Sequence, residues 1–227
     1  MENSTSFLLQ NVGFFNVQTA VKDVALPWVL MAGGNQVYVD NWGFGKVAGT
    51  SGDTNFVNGG TIPTMSRNPD LLGTAYDNMS PNLFTRRRPK YYDVPQSKIM
   101  NVKALGAVGD GVTDDTAVLN GILDGAANTS SIVYFPFGVY TITDTLRVPV
   151  GTRIIGQAWS QIMASGANFE DESRPRVAVK VGKRGDEGVV EIQDMMFTVS
   201  GPTAGAILVE WNVRQSSQGS TGMWGEY

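Results

Sequence analysis

The stretch from Asn101 to Gly156, NVKALGAVGDGVTDDTAVLNGILDGAANTSSIVYFPFGVYTITDTLRVPVGTRIIG, limits the folds open to this chain more than any other segment. Val102 and Leu105 precede Gly106, Gly109 and Gly111, residues suited to tight turns with positive φ. Thr113 is placed to cap a helix whose first turn carries Asp114 and Asp115, where negative charge meets the positive end of the dipole. Val118, Leu119, Ile122 and Ala126 continue as an apolar stripe at helical spacing. Beyond Asn128 the period changes to two: Ile132 and Tyr134, Tyr140 and Ile142, Leu146 and Val148 mark short strands. Pro136, Gly138, Pro149 and Gly151 punctuate them. One helix over 114–126 leading into many short strands predicts a lid over the exposed first edge of a parallel stack, because open sheet edges need cover.

Composition narrows the function classes. Among 227 residues, 27 glycines, 10 prolines and a 42% hydrophobic share fit a turn-rich, β-dominated globular chain of one large or two small domains. The net charge of −4 and pI near 4.8 argue against a nucleic-acid partner, which selects clustered basic surface. The basic run from Arg86 to Lys90 reads as a solvated linker. No apolar run approaches the ~20 residues that span a bilayer, and the longest, Val24 to Ala32, contains Pro27. The start MENSTSF has neither the basic nor the apolar region of a secretory signal. Zero cysteine removes disulfides and thiolate chemistry, and zero histidine removes the commonest general base and metal ligand. Catalysis by this chain would have to use carboxylates, Tyr or Lys. Asp110, Asp114 and Asp115 lack the alternation and distal Glu of a calcium loop, so they read as helix-capping residues. No metal and no cofactor is expected. Asn3, Asn78 and Asn128 open glycosylation sequons.

Gly109 to Thr116, GDGVTDDT, followed by Tyr134-Phe135-Pro136 and Gly138-x-Tyr140-x-Ile142, resembles the opening of a right-handed parallel β-helix of the pectate-lyase-like superfamily. That superfamily hosts many functions. Narrower matches flank it: Gln157 to Met163 (QAWSQIM), Gly205 to Asn212 (GAILVEWN) and Gly222-Met223-Trp224 resemble the second half of glycoside hydrolase family 55, mainly fungal exo-β-1,3-glucanases. Leu9 to Val17 and Asp40 to Gly45 resemble the last coils of that family's first β-helix, and Arg86 to Tyr91 its interdomain connection. The resemblance implies an all-β chain organised as the last coils of a first β-helix at 1–66, a linker at 67–98 and the truncated start of a second β-helix at 99–227. It also leads one to expect a coil continuing past Gly225-Glu226-Tyr227.

The rhythm of the chain agrees. Phe7 to Phe14 and Val190 to Phe197 each read as an apolar strand, an Asn or Asp at a corner, then a second apolar strand. Stacked coils repeat such a unit, with the Asn or Asp satisfying turn backbone groups.

Functionally, the resemblance implies part of a secreted, inverting exo-β-1,3-glucanase that releases glucose from laminarin-like β-glucan, extracellular and monomeric. Inversion needs two carboxyl groups ~6.5–9.5 Å apart. The candidates in strand context are Glu191 and Glu210, each turned outward by alternation with neighbouring aliphatics. Both could share a face on neighbouring coils, although the family's general acid is expected beyond Tyr227. That makes the chain alone inactive by expectation. Trp211 and Asn212 beside Glu210, with Trp159 and Trp224, are the candidate sugar contacts, since a sugar's C–H face stacks on an indole. Trp42 reads as a packing residue and Trp28 as core. The alternatives are a non-catalytic glucan-binding or structural β-helix fragment, and another pectate-lyase-like polysaccharide enzyme.

Overall fold

The computed structural model describes residues 6–25, 27–48, 52–62, 66–73 and 83–225, in two compact units that divide between Thr85 and Arg86. The sequons at Asn3 and Asn78 lie outside the described residues, as does part of the segment expected to link the two bodies.

In the first unit β1 (Phe7–Lys22), β2 (Val29–Ala48) and β3 (Thr54–Thr61) form a three-stranded sheet in that order. Both pairings are antiparallel, with Leu9 opposite Trp42 and Lys22 opposite Val29. Parallel coils were expected here, and the short connection from Asp23 to Trp28 explains the difference. A parallel pairing needs a crossover of about a dozen residues, whereas a short turn reverses the chain. Asp23 closes that turn: its N–H donates to the Trp28 carbonyl and its Oδ1 accepts from Ala25 N at 2.8 Å. Trp28 consequently stands on the hairpin end, 61% exposed, and is not core. Trp42 is buried, its ring 5.4 Å from that of Phe7. Arg67 ties the chain after β3 to β2 through a 3.0 Å ion pair with Asp40.

The second unit contains β4 (Ile99–Asn101), β5 (Asp110–Asp114), α1 (Thr116–Thr129), β6 (Ile132–Phe135), β7 (Val139–Ile142) and β8 (Leu146–Val148). They are followed by β9 (Arg153–Ser165), β10 (Arg176–Val181), β11 (Glu187–Gly188), β12 (Val190–Ser200), β13 (Ala206–Trp211), β14 (Arg214–Gln215) and β15 (Thr221–Trp224). All their pairings are parallel. The sheet curls because its long strands bend. The start of β9 pairs with β6, Val133 against Ile154, while its end pairs with β7, Tyr140 against Ile162. β12 follows the same path, with a register shift between Gln193 and Met195. At that bend Asp194 takes φ 53°, and Asn11 in β1 takes the same φ, so the corner residues shared by the two motifs share a left-handed backbone.

Inward-facing Val133, Phe135, Tyr140, Ile142, Leu146, Ile154, Ile162, Ile192 and Met195 build one core. α1 closes the end of it, packing Leu119, Leu123 and Ala126 against β6 and β8. The helix begins two residues later than expected. Thr113 does not cap it, because its hydroxyl donates to Asp110 at 2.8 Å. Asp114 accepts from the Thr116 N–H at 3.0 Å, and buried Asp115 turns back to accept from Val108 N and Gly109 N. Partial burial pushes the Asp114 carboxyl up, but hydrogen bonds from Thr116 and Thr143 bring it below its ordinary value. Asp110 and Asp115 are thus occupied in building the glycine-rich turn, while Asp114 holds Thr143 and, as a capping residue does, the first residue of α1. Ser130, at φ 53°, ends the helix, and Asn128 of the third sequon bonds back to the Asp124 carbonyl.

Candidate functional site

β8, β10 and β13 lie side by side, and their register sets three rows across them. Leu146, Val179 and Val209 form one row, and Val148, Val181 and Trp211 another. Leu146, Val148, Val179 and Val181 are buried, so the intervening row, Arg147, Lys180 and Glu210, faces outward. Lys180 Nζ lies 3.1 Å from Glu210 Oε1, which also accepts from Asn212 Nδ2 at 2.7 Å. The Asn212 amide and the Lys180 ammonium hold the Glu210 carboxyl below its ordinary range. Glu210 is therefore a carboxylate at neutral pH: it can accept hydrogen bonds or a proton, but has none to give. Beside it Arg147, Pro149, Val150, Lys180, Lys183 and Asp186 line an open groove of about 580 Å³ that mixes apolar and charged side chains. Donors and acceptors set at strand spacing along a groove can grip a polyhydroxylated ligand.

Trp211 departs from the expectation of an open sugar platform. It is half-buried against the core, and its indole N–H donates to the Val213 carbonyl at 3.0 Å. Asn212 is similarly committed, with its amide shared between Glu210 and the Gly182 carbonyl.

Glu191 departs further. It lies on β12, in a different sheet from Glu210 on β13, so the two carboxylates are not neighbours on one face. It is also 3% exposed, not open to solvent. Alternation does turn it away from Val190 and Ile192, but residues 86–91 lie over that outer face. Arg86 Nη2 donates to Glu191 Oε1 at 2.6 Å, and Tyr91 Oη donates to Oε2 at 2.7 Å. Arg153 Nε lies 3.3 Å from Oε2, near enough for attraction but outside hydrogen-bond geometry. Next along β12, Arg88 donates to Gln193 at 3.0 Å and pairs with Asp194. The basic run is thus not a solvated linker; it is bound to the sheet. Trp224 belongs to the same cluster, its indole N–H donating to the Arg86 carbonyl and its ring 5.7 Å from the Arg86 guanidinium. Trp159 stands apart at the bend of β9, 67% exposed.

Sequence reasoning missed Lys180, Arg86, Arg153 and Tyr91. Only the parallel register of β10 with β13 could have flagged Lys180, since it puts a cation opposite Glu210. Among the described residues no group of three or more Asp or Glu could hold a metal ion, and no helix is long and apolar enough to cross a membrane.

A parallel sheet curled round one core, lidded by a single helix and bearing polar rows outside, defines a pectate-lyase-like protein. Residues 99–218 match the family described as rhamnogalacturonase A/epimerase, pectate lyase-like, and the chain belongs to that family. Over 223 residues, 98% of its length, it is 60% identical to a non-secreted LysM effector, LysM19, of Penicillium expansum. It is 32% identical to a glucan 1,3-beta-glucosidase of Cochliobolus carbonum over 97% of its length, and 44% identical to a probable glucan endo-1,3-beta-glucosidase of Arthroderma benhamiae over 64%. The chain spans 18%, 27% and 16% of these relatives respectively. The two glucosidases agree with the resemblance to glycoside hydrolase family 55 and mark the chain as a fungal pectate-lyase-fold protein of that type.

Proposed function

We propose that this chain is the β-glucan-handling part of a carbohydrate-active protein of the exo-β-1,3-glucanase kind, extracellular and inverting, whose second unit is the start of a right-handed parallel β-helix. The observation that carries the reading is the Glu210–Lys180–Asn212 group beside the groove on β8, β10 and β13. A carboxylate, an ammonium and an amide there offer acceptors and donors to glucosyl hydroxyls. Glycoside hydrolysis also needs a protonated acid at the leaving oxygen. Glu210 is held ionised and Glu191 has both oxygens engaged. The chain by itself therefore binds glucan and hydrolyses it weakly or not at all.

Laminarin titrated into the 227-residue protein by calorimetry, with glucose release followed in parallel, tests this. Binding that Glu210→Gln or Lys180→Ala weakens, without glucose release, is the expected result. Robust glucose release from the pure chain would overturn the division of labour. A second reading is a non-catalytic module of an effector, favoured by the 60% identity to a protein named as a non-secreted LysM effector. That reading keeps glucan binding optional and predicts retention inside the cell, so fractionation of the producing organism separates the two.

A further inference from the structure

The bend between β6 and β7 stacks on the bend in the middle of β9, and the pair forms a corner distinct from the row containing Glu210. Two large aromatic side chains stand out from it, Phe137 at 63% and Trp159 at 67% exposure. Trp159 has φ 81°, in the left-handed region where a bulky side chain is an outlier. Such strain persists only where the surroundings enforce it, and it concentrates at binding sites. Here they do enforce it. The buried Ser160 hydroxyl lies within hydrogen-bond distance of the Phe135, Pro136 and Gln157 carbonyls at 2.8, 3.1 and 2.9 Å. Gln157 Oε1 accepts from Phe137 N at 3.0 Å and from the Tyr134 hydroxyl at 3.2 Å, which directs its amide nitrogen away from those two donors. The corner is a locked scaffold that holds an indole out in solvent at a cost in stability.

We propose that this corner is a glycan-binding platform: Trp159 and Phe137 stack on the C–H faces of a neutral polysaccharide while the Gln157 amide donates to its hydroxyls. Charge decides the ligand class. The polar groups presented at the corner, the Tyr134 hydroxyl, the Gln157 amide and the Trp159 indole, are neutral. One cation is near, Lys103, whose ammonium lies beside Gly138 and over the Tyr140 ring at 5.9 Å, and a single positive charge among neutral groups does not select a polyanion. Asp194, whose turn stacks on Gly156, is paired with Arg88. Apolar faces beside neutral hydrogen-bonding groups suit a polyhydroxylated, uncharged chain. The choice of β-1,3-glucan among such chains rests on the function proposed above; the neutral-glycan chemistry does not.

The test is affinity electrophoresis of the 227-residue protein through gels containing laminarin or soluble chitin oligomers, beside thermal melts. Trp159→Gly suits the left-handed backbone, so it should melt at or above the wild-type temperature while binding laminarin about tenfold more weakly. Trp159→Phe should restore part of the retention and Phe137→Ala should reduce it. Glu210→Gln should leave the Trp159-dependent share of retention in place. Retention by chitin oligomers alone, still dependent on Trp159, would keep the platform and sink the β-glucan reading. Wild-type-like retention of Trp159→Gly, a sharp fall in its melting temperature, or no retention of the wild type by either glycan would overturn the platform.

Discussion

Tyr91 donates its hydroxyl to Glu191 Oε2 at 2.7 Å and accepts from Gln193 Nε2 at 3.0 Å, bonding the chain before β4 to two outward-facing residues of β12. Together with Arg86 and Arg88 it secures residues 86–91 along the outside of the curled sheet. Glu191 is the centre of that arrangement, and both its oxygens are used.

Removing one partner from a buried ionic group strands the others, which is more damaging than never having buried them. Glu191→Ala should therefore lower stability by about 3 kcal/mol, since it leaves Arg86 and Arg153 facing each other without a counter-charge. Arg86→Ala should cost about 1 kcal/mol, because Arg86 is partly solvated and Tyr91 and Arg153 remain on the carboxylate. Urea denaturation of the two variants checks the order. Equal, near-zero changes would mean the strap contributes nothing.

Tyr91 also makes a prediction about alkali. Its burial, then its bond to Glu191 and that residue's negative charge, raise the phenol well above its ordinary 10.0. A raised folded pKa means the stabilisation is complete below the unfolded value and is lost as pH rises above about 10. Burial raises Tyr140 in the same direction. Tyrosinate absorbance in an alkaline titration should show Tyr91 and Tyr140 among the late-ionising phenols, appearing together with unfolding. Tyr91→Phe should flatten the decline in stability with rising pH. An unchanged pH dependence in that variant would show that Tyr91 ionises without consequence.

The parallel unit was legible in the sequence where one rule governed a whole segment. Period-two alternation located β6, β7 and β8, and the apolar stripe located α1 to within its last turn, because these patterns record burial. In β6 the inward residues are nevertheless Val133 and Phe135 rather than Ile132 and Tyr134, since apolar side chains occupy both faces of that strand. The corners at Asn11 and Asp194 were legible from the shared apolar-corner-apolar rhythm, and the structure adds their left-handed backbone. What escaped were relationships between distant segments. A run of arginines beside Pro89 has the composition of a solvated linker, and nothing local says that Arg86 meets a carboxylate on β12. Strand direction in the first unit was lost for a related reason: apolar-corner-apolar rhythm is common to parallel coils and hairpins, and only the short Asp23–Trp28 connection decides between them.

Stacked turns leave little room where the chain crosses from β9 into its bend. A methyl group on Gly156 would collide with the Asp194 carbonyl oxygen of the next turn and crowd Met195 Sδ. Backbone cannot yield as a flexible side chain can, so Gly156→Ala should destabilise by about 2–3 kcal/mol. Gly121, in the middle of α1, offers the opposite case, since nothing lies within 4 Å of its would-be Cβ. There alanine should stabilise by about 0.5–1 kcal/mol through helix propensity alone. Thermal melts of the pair provide the check, and the stacked-turn account fails if Gly156→Ala is silent.

Trp211 reads in the sequence as a sugar contact. The structure gives its ring a place against the core and its N–H a partner in the Val213 carbonyl. Truncating a fully buried tryptophan costs ~3–5 kcal/mol, and a half-buried one should cost about 2 kcal/mol. Losing a ring that touches only ligand would leave stability intact and weaken binding by about tenfold. Trp211→Ala in the 227-residue protein should therefore melt early yet bind laminarin like the wild type at temperatures where it is folded. Asn212→Ala separates the neighbours, because Asn212 helps hold Glu210 ionised. Its loss should let the Glu210 carboxyl rise, so any Glu210-dependent binding should fall away at a higher pH on acidification. Melting at the wild-type temperature with weakened binding by Trp211→Ala would make that residue a sugar contact instead.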